Sequence, residues 1–291
     1  MACESTGERV SPVPLHSGVE LLAACQYREA DEAMRLLGVA GIDVNAKSED
    51  GETPLMWACW KGPKELALAL AVNEAVDVTA TCKLGKTPLH YACEGGYKEL
   101  VLALLANEAV DVNAKNTYGQ TPLHYACLAR HKEVVLALLA HEAVDVNAKC
   151  KGDMTPLLYA CLYGHTELAL ALVANEAVDV NAKSEDGKTA LHYACWKGHT
   201  ELALALVANE AVDVNAKNED GKTALHFACD EGHTEVALAL AANEAVDVNA
   251  KDDDVPLPCS LCGDTHLRTY LCKKMRDGAA LAVLCSVDDA P

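Results

Sequence analysis

The chain has 291 residues, with 24 Lys or Arg against 43 Asp or Glu, and its formal net charge at pH 7 is -19. This acidic balance argues against nucleic acid and anionic membranes as partners. The most apolar stretch, Leu66 to Val72, is far shorter than the roughly 20 residues that a membrane-spanning helix needs. The N-terminal sequence has no apolar signal segment, so we expect a protein of the cytoplasm, with the nucleus as the alternative compartment.

A period of 34 residues runs through most of the chain. It is marked by six threonines at identical intervals: Thr53, Thr87, Thr121, Thr155, Thr189 and Thr223. A fixed period of this length is typical of stacked repeats, in which each unit packs on its neighbours. Because such stacks present extended binding surfaces, the sequence favours a protein that holds another molecule over one that catalyses a reaction.

Seven of the 14 cysteines keep the same 34-residue step. They are Cys25, Cys59, Cys93, Cys127, Cys161, Cys195 and Cys229. Equivalent atoms in neighbouring stacked helices lie roughly 8–10 Å apart, whereas the Cα atoms of a disulfide must come within about 7 Å. We therefore predict that these seven cysteines are buried free thiols, which agrees with a reducing compartment.

The unit from Ser184 to Lys217 illustrates the predicted elements. Its first four residues, ending at Gly187, have the composition of a tight turn. Thr189 is a suitable N-cap for a short helix that closes at Gly198. In earlier repeats a proline follows this threonine, which suits the first position of a helix.

The second half of the unit alternates leucine with alanine from Thr200 to Ala208. Strict alternation is typical of a strand, but alanine and leucine favour helices and alanine is depleted in strands. We therefore predict a second helix. We expect Asn209 to close it in the left-handed conformation, for which asparagine is the next choice after glycine.

Three motifs recur in these units: Thr-Pro/Ala-Leu-His at the start, Gly-His-Thr-Glu between the helices and Asp-Val-Asn-Ala-Lys at the end. With them the chain resembles the ankyrin-repeat family, and Thr87 to His90 and Thr121 to His124 match its opening motif in full. The resemblance implies an all-α solenoid of stacked helix–turn–helix units with short β-hairpin loops. It also implies a non-enzymatic, monomeric scaffold that binds one or more proteins and needs no cofactor or metal.

The same resemblance divides the chain into four parts. Residues 1–17 are expected to be a disordered tail and residues 18–47 a degenerate capping repeat. Six whole repeats follow over residues 48–251, and residues 252–291 form a degenerate C-terminal cap or tail.

A histidine closes the opening motif in four of the six repeats, and Met56 and Leu158 replace it in the other two. The resemblance implies that this histidine forms a hydrogen bond between repeats. Repetition without a partner nucleophile does not make an active site, so we assign these residues a structural role. They are His90, His124, His192 and His226.

Five positions in each repeat differ from one repeat to the next: two before the loop glycine, one after it and two at the end of the first helix. The resemblance implies that these positions face a concave groove. Aromatic residues make up only 4% of the chain, yet several occupy these positions, and protein interfaces concentrate such anchors. We predict that the following residues bind the partner, the first four as the centre and the tryptophans as its flanks: Tyr118, Leu128, Leu162, Tyr163, Trp60 and Trp196.

Beyond residue 252 the repeat decays, and the favoured interpretation is a cap that closes the stack. In this interpretation a helix of about three turns covers the last repeat. The covering side chains would be Leu267, Tyr270, Leu271 and Met275.

Two other interpretations of the tail give an alternative function, that of an adaptor. One is a zinc site, because thiolate and imidazole ligands suit tetrahedral zinc; its ligands would be Cys259, Cys262, His266 and Cys272. The other is recruitment of a ubiquitin ligase, since Pro256 to Pro258 and Leu267 to Leu271 resemble the cullin-recruiting tails of some ankyrin-repeat adaptors.

Overall fold

A computed structural model describes residues 18–250 and 257–275, and these residues contain helices and loops but no β-strand. The chain divides into two compact units, Met1–Asp111 (unit 1) and Val112–Pro291 (unit 2). The all-α fold is confirmed. The predicted disordered tail over residues 1–17 lies outside the described residues, as do Lys251 of the sixth repeat and residues 252–256 and 276–291 of the predicted C-terminal cap or tail.

The described part of unit 1 consists of three helix pairs. In each pair, the first helix packs on the first helix of the next pair, and the second on the second. The helices are α1 (Gly18–Tyr27), α2 (Ala30–Leu37), α3 (Pro54–Lys61), α4 (Lys64–Ala71), α5 (Pro88–Gly95) and α6 (Lys98–Leu105).

Unit 2 repeats this arrangement with four further pairs and two terminal helices. The pairs are α7 (Pro122–Leu128) with α8 (Lys132–Leu139), α9 (Pro156–Leu162) with α10 (Thr166–Val173), α11 (Ala190–Trp196) with α12 (Thr200–Val207), and α13 (Ala224–Asp230) with α14 (Thr234–Ala242). The terminal helices are α15 (Pro258–Leu261) and α16 (265–275), and α15 packs against α13.

The first helix of each whole repeat begins directly after the periodic threonine. In α3 the Thr53 side chain accepts the backbone N–H of Met56 at 3.3 Å, which caps the helix as predicted. Where the motif histidine is present, its Nδ1 accepts the backbone N–H of the threonine three residues earlier, at 3.1 Å in all four repeats. The opening motif therefore fixes where each helix begins.

The alternating Leu-Ala segment is helical, as predicted, because one side of it packs inside the stack. In α12 Leu202, Ala203 and Leu206 are buried while Leu204 is exposed. These residues follow the helical spacing of one buried side rather than the strict alternation of a strand.

The predicted left-handed conformation of Asn209 is wrong. Among the described residues, the non-glycine positions with positive φ are Arg28, Arg130 and Asp153. The Asn209 side chain instead accepts the backbone N–H of Ala211 at 2.9 Å. An asparagine that turns the chain with its own side chain does not need the left-handed backbone.

The predicted β-hairpin loops have hairpin-like hydrogen bonds without strands. In each loop of the six whole repeats, the N–H of the first residue donates to the carbonyl four residues later at 2.9–3.1 Å. A second backbone bond runs from the N–H three residues later back to the carbonyl of the first residue, at 2.8–3.1 Å. In unit 2, successive loops are also joined, for example by the N–H of Glu219 donating to the carbonyl of Asp186 at 3.1 Å. At Gly187, φ is 74° and a Cβ would lie 2.8 Å from the nitrogen of Glu219, so this junction requires glycine.

The seven periodic cysteines are free and buried in the cores of the first-helix stacks, as predicted. Burial raises the pKa of the Cys25 thiol to about 12, and it also raises the pKa of Cys59 and Cys127. These groups are therefore neutral, small apolar side chains in the folded chain.

At five points in the described chain, the asparagine of the recurring Asp-Val-Asn motif joins its repeat to the next. The Asn181 Nδ2 donates to the carbonyl of Ala211 at 2.7 Å, and its Oδ1 accepts the N–H of Asp213 at 2.8 Å. The same pair of bonds, always to residues 30 and 32 positions ahead, forms at Asn45, Asn113, Asn147 and Asn215. We call this pair of bonds the asparagine bridge.

One repeat departs from this pattern, because Thr79 stands where the others have asparagine. Its hydroxyl donates to the Asp77 carboxylate within the same loop at 2.7 Å. We expect Thr79→Asn to add a bridge toward Ala109 and Asp111 and to raise the free energy of unfolding by about 1 kcal/mol, the typical net value of a hydrogen bond. Urea unfolding followed by circular dichroism measures this change.

The reciprocal change, Asn181→Thr, is the matched control and should lower the stability by a similar amount. If Asn181→Thr lowers the unfolding midpoint but Thr79→Asn leaves it unchanged, the prediction is wrong. An asparagine at position 79 would then not be sufficient to form the bridge.

The buried thiols give a second prediction. The seven periodic cysteines should react slowly with a thiol reagent in the native chain, and rapidly once urea unfolds it, because the reactive thiolate is suppressed by burial. Half-buried Cys272 on α16 serves as an internal control that reacts in the native state. Equal rates in native and unfolded chains, or thiols that titrate only after reduction, would contradict the prediction.

Candidate functional site

Two of the four motif histidines, His124 and His192, join successive repeats through hydrogen bonds. The His124 Nδ1 accepts the backbone N–H of Thr121, so its Nε2 bears the proton and donates to the carbonyl of Met154 at 3.0 Å. His192 repeats this geometry with the carbonyl of Lys222 at 3.0 Å. Burial lowers the pKa of both histidines to about 4. Both ring nitrogens are thus used in structural bonds by a neutral imidazole.

The predicted centre of the binding surface lies in unit 2. Tyr118 is in the loop before α7, Leu128 is the last residue of α7, and Leu162 and Tyr163 lie at the end of α9. The two tyrosines are 53% and 55% exposed, and the two leucines are half-buried. We call these four residues the central patch.

Tyr163 is exposed yet held in place by ring stacking. Its ring lies parallel to that of Tyr159, with centroids 6.4 Å apart and 5° between the planes, and stacks on His165 at 6.1 Å. The Tyr159 hydroxyl in turn contacts Cys150 Sγ at 3.5 Å. The exposed face of Tyr163 is therefore presented on an ordered support.

Tyr118 stands on a backbone fixed at both sides. Its N–H donates to the Asn116 side chain and its carbonyl accepts the N–H of Lys151, both at 2.9 Å. Two residues on, Gln120 donates to the Tyr159 hydroxyl at 3.5 Å, which connects the loop of Tyr118 to the ring that supports Tyr163. The central patch thus spans two neighbouring repeats joined by hydrogen bonds.

The flanking tryptophans are half-buried, and each has a lysine against its ring. In unit 2, the Trp196 indole donates to Glu231 at 3.1 Å, and Lys197 Nζ lies 3.7 Å from the ring centroid. In unit 1, Lys61 Nζ lies 3.8 Å from the ring centroid of Trp60. Lys188 Nζ also lies 5.4 Å from the Trp196 centroid, and all three distances are within the range of cation–π contacts.

Sequence reasoning missed the side chains that support these residues. Tyr159 and His165 lie in the recurring Tyr-Ala-Cys and Gly-His-Thr-Glu segments, so a comparison between repeats does not single them out, although their rings hold Tyr163. The lysines could have been predicted from the sequence, because a lysine directly follows the tryptophan at both Trp60 and Trp196.

The described part of the tail covers the last repeat. Leu267 and Leu271 of α16 are buried, whereas Tyr270 is exposed. Lys274 donates to the carbonyl of Ala241 at the end of α14. Of the four predicted covering side chains, two are therefore buried, Met275 is half-buried and Tyr270 is exposed.

The zinc interpretation has no support in the described residues. Cys259 and Cys262 are buried, but His266 is exposed on α16. Nowhere in residues 18–250 and 257–275 are three His, Cys, Asp or Glu side chains grouped so that they could hold a metal ion. Pro256, part of the ligase-recruiting interpretation, lies outside these residues.

In the described part of the chain, no helix is both long enough and apolar enough to cross a bilayer.

Comparison with known proteins agrees with the repeat fold. The family model described as "Ankyrin repeats (3 copies)" matches residues 21–116, 108–184 and 171–252, which together span well over half of the chain. No curated protein matches the sequence.

The neutral motif histidines predict a loss of stability in mild acid. An unfolded histidine has a pKa of about 6.5, whereas folded His124 and His192 have a pKa of about 4. The unfolded chain therefore binds protons first as the pH falls. The stability that depends on neutral imidazole is complete above pH 6.5 and is lost between about pH 6.5 and 4, on the order of 2 kcal/mol per histidine by pH 5.

The matched control for this prediction is His124→Leu with His192→Leu, which copies Leu158 at the same position of another repeat. Urea unfolding midpoints at pH 7 and pH 5 should differ more for the native sequence than for this variant. Equal shifts would mean that the acid sensitivity arises in other groups.

Proposed function

The chain belongs to the ankyrin-repeat family, and we propose that it is a non-enzymatic scaffold that binds a protein partner through the variable positions of its repeats. Ankyrin repeats are generally protein–protein interaction modules. The proposed binding centre is the central patch in unit 2, with Trp196 as its flank in that unit. Trp60 is the corresponding anchor in unit 1.

The observation that best supports this proposal is the exposed, stacked ring of Tyr163. A side chain that is 55% exposed and already ordered by Tyr159 and His165 loses little conformational freedom when a partner covers it. Tyrosine is also enriched among the interface residues that contribute most of the binding free energy. Tyr118 on its fixed loop and half-buried Leu128 and Leu162 extend the same patch.

The tryptophans are proposed as secondary contacts. Lys61 and Lys197 lie against their rings, so a partner meets an amphipathic surface of indole and ammonium at these points. A cation–π contact at an exposed site is worth about 0.5–1 kcal/mol, which a partner must replace if it displaces the lysine.

A role without catalysis agrees with the state of the nucleophilic and basic side chains. The periodic thiols are buried, and burial raises the pKa of Cys161 and Cys195 well above the usual range, which suppresses the thiolate. His124 and His192 are neutral and bonded at both nitrogens. Such groups serve as packing and connecting elements.

The organisation that we propose keeps the four parts inferred from the sequence. The pair α1 and α2 acts as the N-terminal capping repeat, since α1 packs on α3 and α2 on α4. At the other end α15 and α16 close the stack. We propose that the scaffold acts as a monomer in the cytoplasm.

The test removes the two exposed rings of the central patch together. In Tyr118→Ala with Tyr163→Ala, partners captured from a cell extract and quantified by mass spectrometry should decrease, and the affinity for a purified partner should fall roughly thirty-fold or more for each dominant residue. The unfolding midpoint should move little, because both side chains are exposed.

The matched control is Tyr27→Ala with Tyr270→Ala, which removes two exposed tyrosines outside the variable positions. It should capture partners as the native sequence does. The proposal is wrong if both double variants retain the same partners at the same affinity.

A further inference from the structure

A row of leucines lies on the second helices of unit 2, away from the variable positions. Leu136, Leu204 and Leu238 are 46%, 42% and 38% exposed, and Leu170 is half-buried at the same position of its repeat. Leucine occupies this position in all six whole repeats, and the alanine that follows it is equally constant. We call Leu136, Leu170, Leu204 and Leu238 the second-helix leucine row.

Leucine at these points is not required for the helices or for the core. In α12, burial is provided by Leu202, Ala203 and Leu206. An exposed helical position would be occupied equally well by Glu, Lys or Gln, which have similar helix propensity and favour solubility. A repeated exposed leucine therefore leaves apolar surface in contact with water and lowers the solubility of the free chain. A partner that covers the leucines would remove this apolar surface from water.

Glutamates border the leucine row on both sides. One lies three residues before each leucine and another six residues after it, and all are exposed. In the last three repeats they are Glu167, Glu201 and Glu235 on one side, and Glu176, Glu210 and Glu244 on the other. The helices α10, α12 and α14 contain no Lys or Arg.

The ends of this acidic border are partly neutralised. Lys132 pairs with Glu167 at 3.2 Å, and Lys273 and Lys274 of α16 lie beside Glu244. The strongest negative border therefore lies along α12, around Leu204. A second copy of this chain would place glutamates against glutamates, so self-association does not fit this surface.

We propose that the second-helix leucine row is a docking surface for a basic amphipathic helix of a partner protein. The apolar stripe of that helix would cover the leucines, and Lys or Arg on both of its flanks would meet the two glutamate rows. This surface is separate from the central patch, so the chain would hold two partners or two segments of one partner.

Spacing supports a helical partner that lies along the row. Neighbouring packed helices are roughly 8–10 Å apart, and two turns of an α-helix advance about 11 Å. One apolar residue in every seven would then meet each successive leucine. At seven residues per step, the three steps from Leu136 to Leu238 correspond to a partner helix of about 21 residues.

The experiment uses the full chain and a synthetic probe of 21 residues, with leucine at the first and fourth positions of each heptad and lysine on both flanks. Fluorescence anisotropy should detect binding of this peptide but not of one with glutamate in place of the lysines. Leu204→Gln with Leu238→Gln should weaken binding about tenfold or more. Glu201→Gln with Glu210→Gln should weaken it about two- to tenfold and reduce its salt dependence.

Matched controls separate this surface from the others. Met34→Gln with Leu84→Gln removes two exposed apolar side chains elsewhere, and Glu219→Gln with Asp220→Asn removes two charges from the loop of a variable region. Both should bind the probe as the native sequence does. Circular dichroism checks that every variant remains folded.

Three outcomes would overturn the proposal: no preference for the basic over the acidic peptide, unchanged binding in the leucine variant, or equal weakening in the matched controls. Tyr118→Ala with Tyr163→Ala should leave probe binding unchanged. If that variant alone weakens binding, the helix sits on the central patch, which contradicts this inference and leaves the proposed function standing.

Discussion

The stacking of the repeats depends on polar groups that pair with groups of the neighbouring repeat. The asparagine bridge shows this most clearly, because Nδ2 and Oδ1 of one side chain pair with a carbonyl and an N–H of the following repeat. The motif histidine makes a second connection, from its Nε2 to a carbonyl 30 residues ahead in two of the repeats of unit 2. A hydrogen bond of this kind is worth about 1 kcal/mol net and forms only when the neighbouring repeat is in place. The same bonds at the same offsets therefore favour the same step from repeat to repeat.

The fold was predictable from the sequence because its period is long, regular and filled with helix-forming residues. The start of each first helix, the burial of the thiols and the helical state of the Leu-Ala segments all follow from local chemistry. Predictions failed where the same residues can form either of two local hydrogen-bonded conformations. Asn209 turns the chain with its side chain instead of a left-handed backbone, and the described loops form two short-range backbone hydrogen bonds each instead of strands.

The candidate site was predictable in position but not in geometry. Differences between repeats indicated which positions are free to vary, and these include Tyr118 and Tyr163. The contacts that order them join residues of different repeats or different motifs, such as Gln120 with Tyr159 and Tyr163 with His165. A pattern within one repeat does not contain such pairs. The two proposed surfaces also differ in kind, because one uses positions that vary between repeats and the other uses a position that is always leucine.

The asparagine bridge has a consequence for how long such a chain can be. Each bridge needs only a donor and an acceptor at fixed offsets in the next repeat, and the bridged repeats supply the same groups at the same offsets. Inserting or removing one whole unit of 34 residues would therefore leave every new junction chemically equivalent to the old ones. The number of repeats is thus open to change by duplication or loss, whereas an insertion of any other length interrupts the bonds. The nearly identical units at Ser184 to Lys217 and Asn218 to Lys251 have the form that a recent copying event would leave.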